Sequence, residues 1–167
     1  MVRLLNGVPV AELAYAGEAR RRRYALRRSL RGVFAQLPVY AIDADGRAAV
    51  LTHLTPLQPE GTLAPFAETE WPVPEEARDG WWDGLPYPVY GMRPQGYLGR
   101  RLARLEHREL GVPENPEAWS DDDILWVLSR RGSDMPGNLI VGDLAYDRWA
   151  HSKLGATDAV RPAALCQ

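Results

Sequence analysis

The chain has 167 residues, 46% of them hydrophobic and 25% charged, which suits one domain or two small ones with a packed core and excludes wholesale disorder. No apolar run is long enough to cross a bilayer, Met1 to Gly7 lack the apolar middle of a signal peptide, and the one cysteine, Cys166, excludes an internal disulfide; a reducing cytoplasm is the expected compartment. The formal charge of -2 hides an asymmetry, because residues 1–31 hold eight arginines against two acids and the remainder holds twelve basic against twenty acidic residues.

Val10 to Tyr15 and Tyr24 to Leu30 flank Gly17-Glu18-Ala19-Arg20, a pattern that predicts a β-hairpin with Arg20, Arg21, Arg22 and Arg23 at its turn and second strand. Pro38 to Ile42 and Ala48 to Leu51 flank Asp43-Ala44-Asp45-Gly46, and Asp-Gly is a strong hairpin signal. The four strands suggest one small antiparallel sheet. Residues 58–80 read as a long, mostly irregular acidic connection with a strand near Leu63 to Phe66. Trp81 and Trp82 open a different stretch, in which Pro86 and Pro88 limit helix. Tyr97 to Leu110 is predicted as a helix: Leu98, Leu102, Leu105 and Glu109 follow helical spacing with the first three apolar, and Gly111 and Pro113 supply the stop. Ser120 with Asp123 forms a capping-box pattern for a helix from Asp121 to Arg131, whose first-turn acids suit the helix dipole and whose buried face is Ile124, Leu125 and Leu128. Gly132 ends it, Leu139-Ile140-Val141 is a short buried strand entered through Pro136-Gly137, and a helix follows near Leu144 to Lys153. The fold class is therefore α+β: antiparallel hairpins, then two packed helices and a short strand. Residues 1–31 form a basic hairpin and 32–167 the main subdomain, with the irregular segment at 58–80.

Three stretches imitate catalytic motifs without their chemistry. His107-Arg108-Glu109 with Asn115 looks like a protein-kinase catalytic loop, but the proton-accepting aspartate is replaced by Glu109 and the asparagine is one position late. Gly132 to Leu139 has the glycine spacing of a phosphate loop, yet Asn138 and Leu139 stand where Lys and Ser/Thr must be. Asp121, Asp122 and Asp123 point about 100° apart on a helix and do not converge on a cation by themselves. His53, His107 and His151 lack metal-ligand spacing, and no serine sits in a G-x-S-x-G elbow. Catalytic, cofactor and metal residues are therefore expected to be none in this chain, which should not turn over ATP by itself.

Two runs carry a resemblance: Trp81-Trp82-Asp83-Gly84-Leu85-Pro86 continuing to Arg93-Pro94-Gln95-Gly96-Tyr97-Leu98-Gly99-Arg100, and Trp119-Ser120-Asp121-Asp122-Asp123 continuing to Pro136-Gly137-Asn138-Leu139. Over residues 24–145 the chain resembles the amino-terminal, non-catalytic region of HipA-type serine/threonine kinase toxins of toxin–antitoxin pairs, closest to the YjjJ-like branch. The resemblance implies the fold of that lobe and a module that contacts or restrains a HipA-type kinase body or an antitoxin. ATP and magnesium would bind the kinase part, whose motifs are absent here. Arg93, Gln95, Gly96, Gly99 and Arg100 are the candidate partner-binding or structural motif, where an extended segment meets a helix start and glycines permit close backbone approach: Arg93 and Gln95 either contact the kinase body or a partner, or brace the turn.

The resemblance leaves two origins open, a split kinase reading frame or a free-standing module like the small kinase-restraining protein of tripartite systems. The first expects a phosphate loop and kinase aspartates in the adjoining genomic sequence. It also expects an uncovered apolar face, with Trp81, Trp82 and Trp119 as candidates. The basic hairpin reads either as the wing of a lost winged helix or as the first strands of the lobe. A DNA-binding accessory role through Arg20 to Arg23 is the alternative function, disfavoured by the acidic body.

Overall fold

The computed structural model describes residues 9–17, 22–66 and 72–159. Two antiparallel sheets and four α-helices make an α+β fold, and every strand pair among the described residues is antiparallel. Strands β1 (Leu13–Ala16) and β2 (Arg23–Leu26) form the first hairpin. Strands β3 (Leu37–Ile42) and β4 (Ala48–Pro56) form the second, closed by local chemistry: the Asp43 carboxylate accepts the amides of Asp45 and Arg47 at 2.9 and 2.8 Å.

The expectation of one sheet from these four strands is corrected. The first hairpin stands as its own two-stranded sheet, joined to the second through the bridge of Arg27 with Leu57. The larger sheet takes its other strands from elsewhere. The acidic connection contributes β5 (Thr62–Leu63) and the tryptophan pair forms β6 (Trp81–Trp82), while β7 (Leu139–Val141) adds to the far side of β3.

Helix α1 (Tyr87–Tyr90) is one turn, α2 spans Gly96–Leu110, α3 Asp121–Arg131 and α4 Asp143–Ala159. The capping box of α3 is present as expected: Ser120 Oγ accepts the amide of Asp123, whose carboxylate accepts the Ser120 amide. Ile124, Leu125 and Leu128 are buried with Val39, Leu54, Phe66 and Val141 to make the core. Gly111 ends α2 in the left-handed conformation, φ 65°, as its position predicts. Among the described residues no helix is long and apolar enough to cross a membrane.

The leucine stripe that marks α2 in the sequence is not the face it buries. Leu98 and Leu105 are 72% and 70% exposed, and Leu102 packs only partly on the core. Gly99, Ala103 and Leu110 are buried instead, a face turned by one residue, about 100°. Contacts from α3 set that rotation. Arg131 binds Glu106 and, at 2.6 Å, Glu109; Trp126 Nε1 donates to the Leu110 carbonyl at 3.0 Å. Burial draws the Arg131 pKa down, and the two carboxylates more than reverse this, holding the guanidinium above its ordinary value.

The tryptophans also depart from expectation as an uncovered face. Trp119 is buried and donates Nε1 to the Pro113 carbonyl at 2.7 Å. Trp82 packs on the core, meets Phe66 edge-on at 5.9 Å and donates to the Ala64 carbonyl at 2.9 Å. Trp81 is half-buried beneath the guanidinium of Arg23, 5.0 Å from its ring centre. Trp82 and Trp119, buried or half-buried with satisfied N–H groups, serve as core, whereas the buried Trp81 N–H has no hydrogen-bond partner among the described residues.

Helix α4 is fixed to β3 through Tyr40, whose ring stacks on Tyr146 at 4.2 Å and whose hydroxyl donates to Asp143 at 2.6 Å. That hydrogen bond, then burial and the neighbouring carboxylate charge, push the Tyr40 hydroxyl up to about 12 from 10.0. The fold thus favours protonated Tyr40. Its contribution to stability is complete below about pH 10 and is lost as pH rises through about 12. Urea midpoints measured across that alkaline range should fall for the natural chain, and Tyr40→Phe should flatten this part of the profile.

Candidate functional site

Pro86 caps the one-turn α1 and Pro88 stands in its first turn, where proline is tolerated, and the chain then runs through Arg93-Pro94-Gln95 into the start of α2. Gln95 is extended (φ -131°, ψ 168°), and its carbonyl accepts the Gly99 amide at 3.0 Å. Its side chain is exposed and does not cap the helix, and no acid lies in the first turn. Donor N–H groups and the positive end of the helix dipole therefore meet two arginines, Arg93 and Arg100, at one corner. The Arg93 guanidinium folds over the Tyr90 ring, 5.0 Å from its centre, and donates to the Tyr90 hydroxyl at 3.2 Å.

The two glycines do different work. A Cβ on Gly99 would stand 2.4 Å from the carbonyl carbon of Pro94, so only glycine lets the buried Pro94 pack on the first turn of the helix. Gly96 adopts φ +61° with open space about its Cα.

Arg93, Gln95, Gly96 and Arg100 line one cavity of about 100 Å³ together with Pro94, Pro116 and Glu117. Gly99 lies beneath it and shapes the corner. Four of the five sequence-predicted residues are therefore brought together around an opening. Pro116 and Glu117 escaped the sequence reading. They come from a short 3-10 turn (Pro116–Ala118) ahead of α3, and no motif links that turn to residues some twenty positions earlier. Asn115 caps this turn by accepting the Glu117 amide at 3.1 Å.

Of the basic hairpin, Arg20 and Arg21 lie outside the described residues. Arg22 rests on the Tyr15 ring at 5.2 Å and Arg23 on Trp81. Arg28 binds Asp122 at 2.8 Å and the carbonyls of Leu57 and Pro59, and Arg31 binds Asp123. The acids at the start of α3 thus hold the arginine segment as well as serving their own helix. The residues of the kinase-loop lookalike are occupied locally: His107 Nδ1 lies 3.0 Å from the Ala103 carbonyl, Glu109 receives Arg131, and Asn115 caps the turn.

The fold and this corner define a small α+β domain that presents a cationic turn-to-helix junction. The family model described as "YjjJ-like toxin, middle domain" matches residues 33–150, so the chain belongs to the YjjJ-like toxin family and carries its middle domain. It is 32% identical over 134 residues to Toxin YjjJ of Escherichia coli strain K12, an alignment covering 80% of this chain and 28% of that protein. No solved structure matches.

Proposed function

We propose that this chain is the non-catalytic module of a HipA-like serine/threonine kinase toxin and that its Arg93–Arg100 corner contacts or restrains the kinase body. The observation that carries the reading is the convergence of Arg93, Gln95, Gly96 and Arg100 on one opening at an uncapped helix start. Such a corner suits a carboxylate or backbone carbonyl offered by a protein partner, because charge-assisted hydrogen bonds are the strong ones. An antitoxin is the second partner implied by membership of a toxin family.

The test uses the remainder of E. coli Toxin YjjJ, expressed without the segment that this chain matches. Calorimetry should show binding to the natural chain. The double change Arg93→Ala and Gln95→Ala should weaken it by about tenfold or more, equivalent to about 1.4 kcal/mol, while leaving the melting temperature within about 2 °C. Unchanged binding in the double variant would remove this corner from the interface. The DNA-binding alternative has a separate signature: a steep loss of affinity with salt, abolished when Arg20 to Arg23 are changed to alanine. The intramolecular contacts of Arg22, Arg23, Arg28 and Arg31 argue against it.

A further inference from the structure

The outer face of α2 carries exposed leucines flanked by arginines. Leu98 and Leu105 are seven residues apart with Leu102 between them, so they occupy d, a and d positions of a heptad pattern. Leu98 and Leu105 are 72% and 70% exposed, and Tyr97 beside them is 72% exposed. Arg101 and Arg108 stand at the g positions flanking this seam, both exposed. Arg100 and Arg104 extend the charge around the same side, where Tyr97, Arg100, Arg101, Arg104 and Leu105 line a groove of about 260 Å³. None of the four arginines has an ion-pair partner among the described residues.

From this pattern we infer that α2 receives an amphipathic helix of a partner protein, with apolar residues on the leucine seam and glutamate or aspartate along the edge facing Arg101 and Arg108. The charge pattern selects this occupant. Flanking positions of paired helices choose partners by charge, and two arginines on one edge demand acids opposite. A second copy of this chain does not supply them. Antiparallel pairing sets Arg101 and Arg108 against the same arginines. Parallel pairing offers Gly99 and Glu106, and Glu106 is already bound by Arg131. Nucleic acid satisfies the arginines but leaves Leu98 and Leu105 without apolar cover. The groove adjoins the Arg93–Arg100 corner and shares Arg100 with it, but the inference rests on Leu98, Leu105, Arg101 and Arg108 and does not depend on the partner being a kinase body.

The test uses the full chain and two synthetic helical peptides with leucine at a and d, one flanked by glutamate and one by lysine. Fluorescence anisotropy should show binding of the glutamate peptide and none of the lysine peptide. Leu98→Asp with Leu105→Asp should weaken binding by about tenfold or more; both sites are exposed, so circular dichroism and melting should stay unchanged. Arg101→Glu with Arg108→Glu should invert the preference toward the lysine peptide, an outcome a merely structural role would not produce. The inference is overturned if neither peptide binds or if the leucine changes leave binding intact. It is equally overturned if the natural chain self-associates through Leu98 and Leu105 in light scattering. Binding of a short DNA duplex through Arg101 and Arg108, with no binding of the glutamate peptide, would assign the face to nucleic acid instead.

Discussion

Gly99→Ala is expected to destabilise the domain by about 3 kcal/mol, the upper part of the range for forcing atoms into a packed site. The added methyl would lie 2.4 Å from the Pro94 carbonyl carbon and 2.7 Å from its oxygen. Both are backbone atoms, so no rotamer change relieves the clash; α2 must shift away from the segment that leads into it. The neighbouring Gly96→Ala is the control. It meets nothing within 4 Å and carries only the strain of a left-handed residue at φ +61°, about 1 kcal/mol. Urea unfolding of the two variants should rank them in that order. Equal small losses would mean that Pro94 and the first turn of α2 are not in contact, and the cavity geometry at Arg93 and Arg100 would lose its support.

The second large effect is expected at Leu128, which is fully buried in the core cluster. Leu128→Ala should cost about 3 kcal/mol through lost burial and the cavity left behind. Leu105→Ala on α2 should stay within about 0.5 kcal/mol, since that side chain already stands largely in water. The pair tests the orientation of α2 directly. A Leu105→Ala cost comparable to that of Leu128→Ala would place the leucine stripe against the core, contradict the Glu106–Arg131 and Trp126–Leu110 contacts, and remove the docking seam.

The sequence by itself determined the features that close within one turn or one hairpin. The Asp43–Gly46 turn, the Ser120–Asp123 capping box and the Gly111 stop all lie where local chemistry puts them. Their hydrogen bonds span a few residues, so they need no knowledge of the rest of the chain. The Arg93–Arg100 run also identified the family and located the turn-to-helix corner. Tertiary structure decided which residues gather there and which faces are hidden. Glu117 reaches the corner from a separate turn, and β5 and β6 are two-residue strands too short to show a period. Arg28 and Arg31 find their carboxylates 94 and 92 positions away, which no spacing rule records. The rotation of α2 is the clearest case. Its leucines have the right period for a core, but helical period fixes only that the residues share a face. Gly99 against Pro94, Ala103 in the core and Glu106 on Arg131 fix which face turns inward, because close backbone approach and a satisfied carboxylate can be met only on that side.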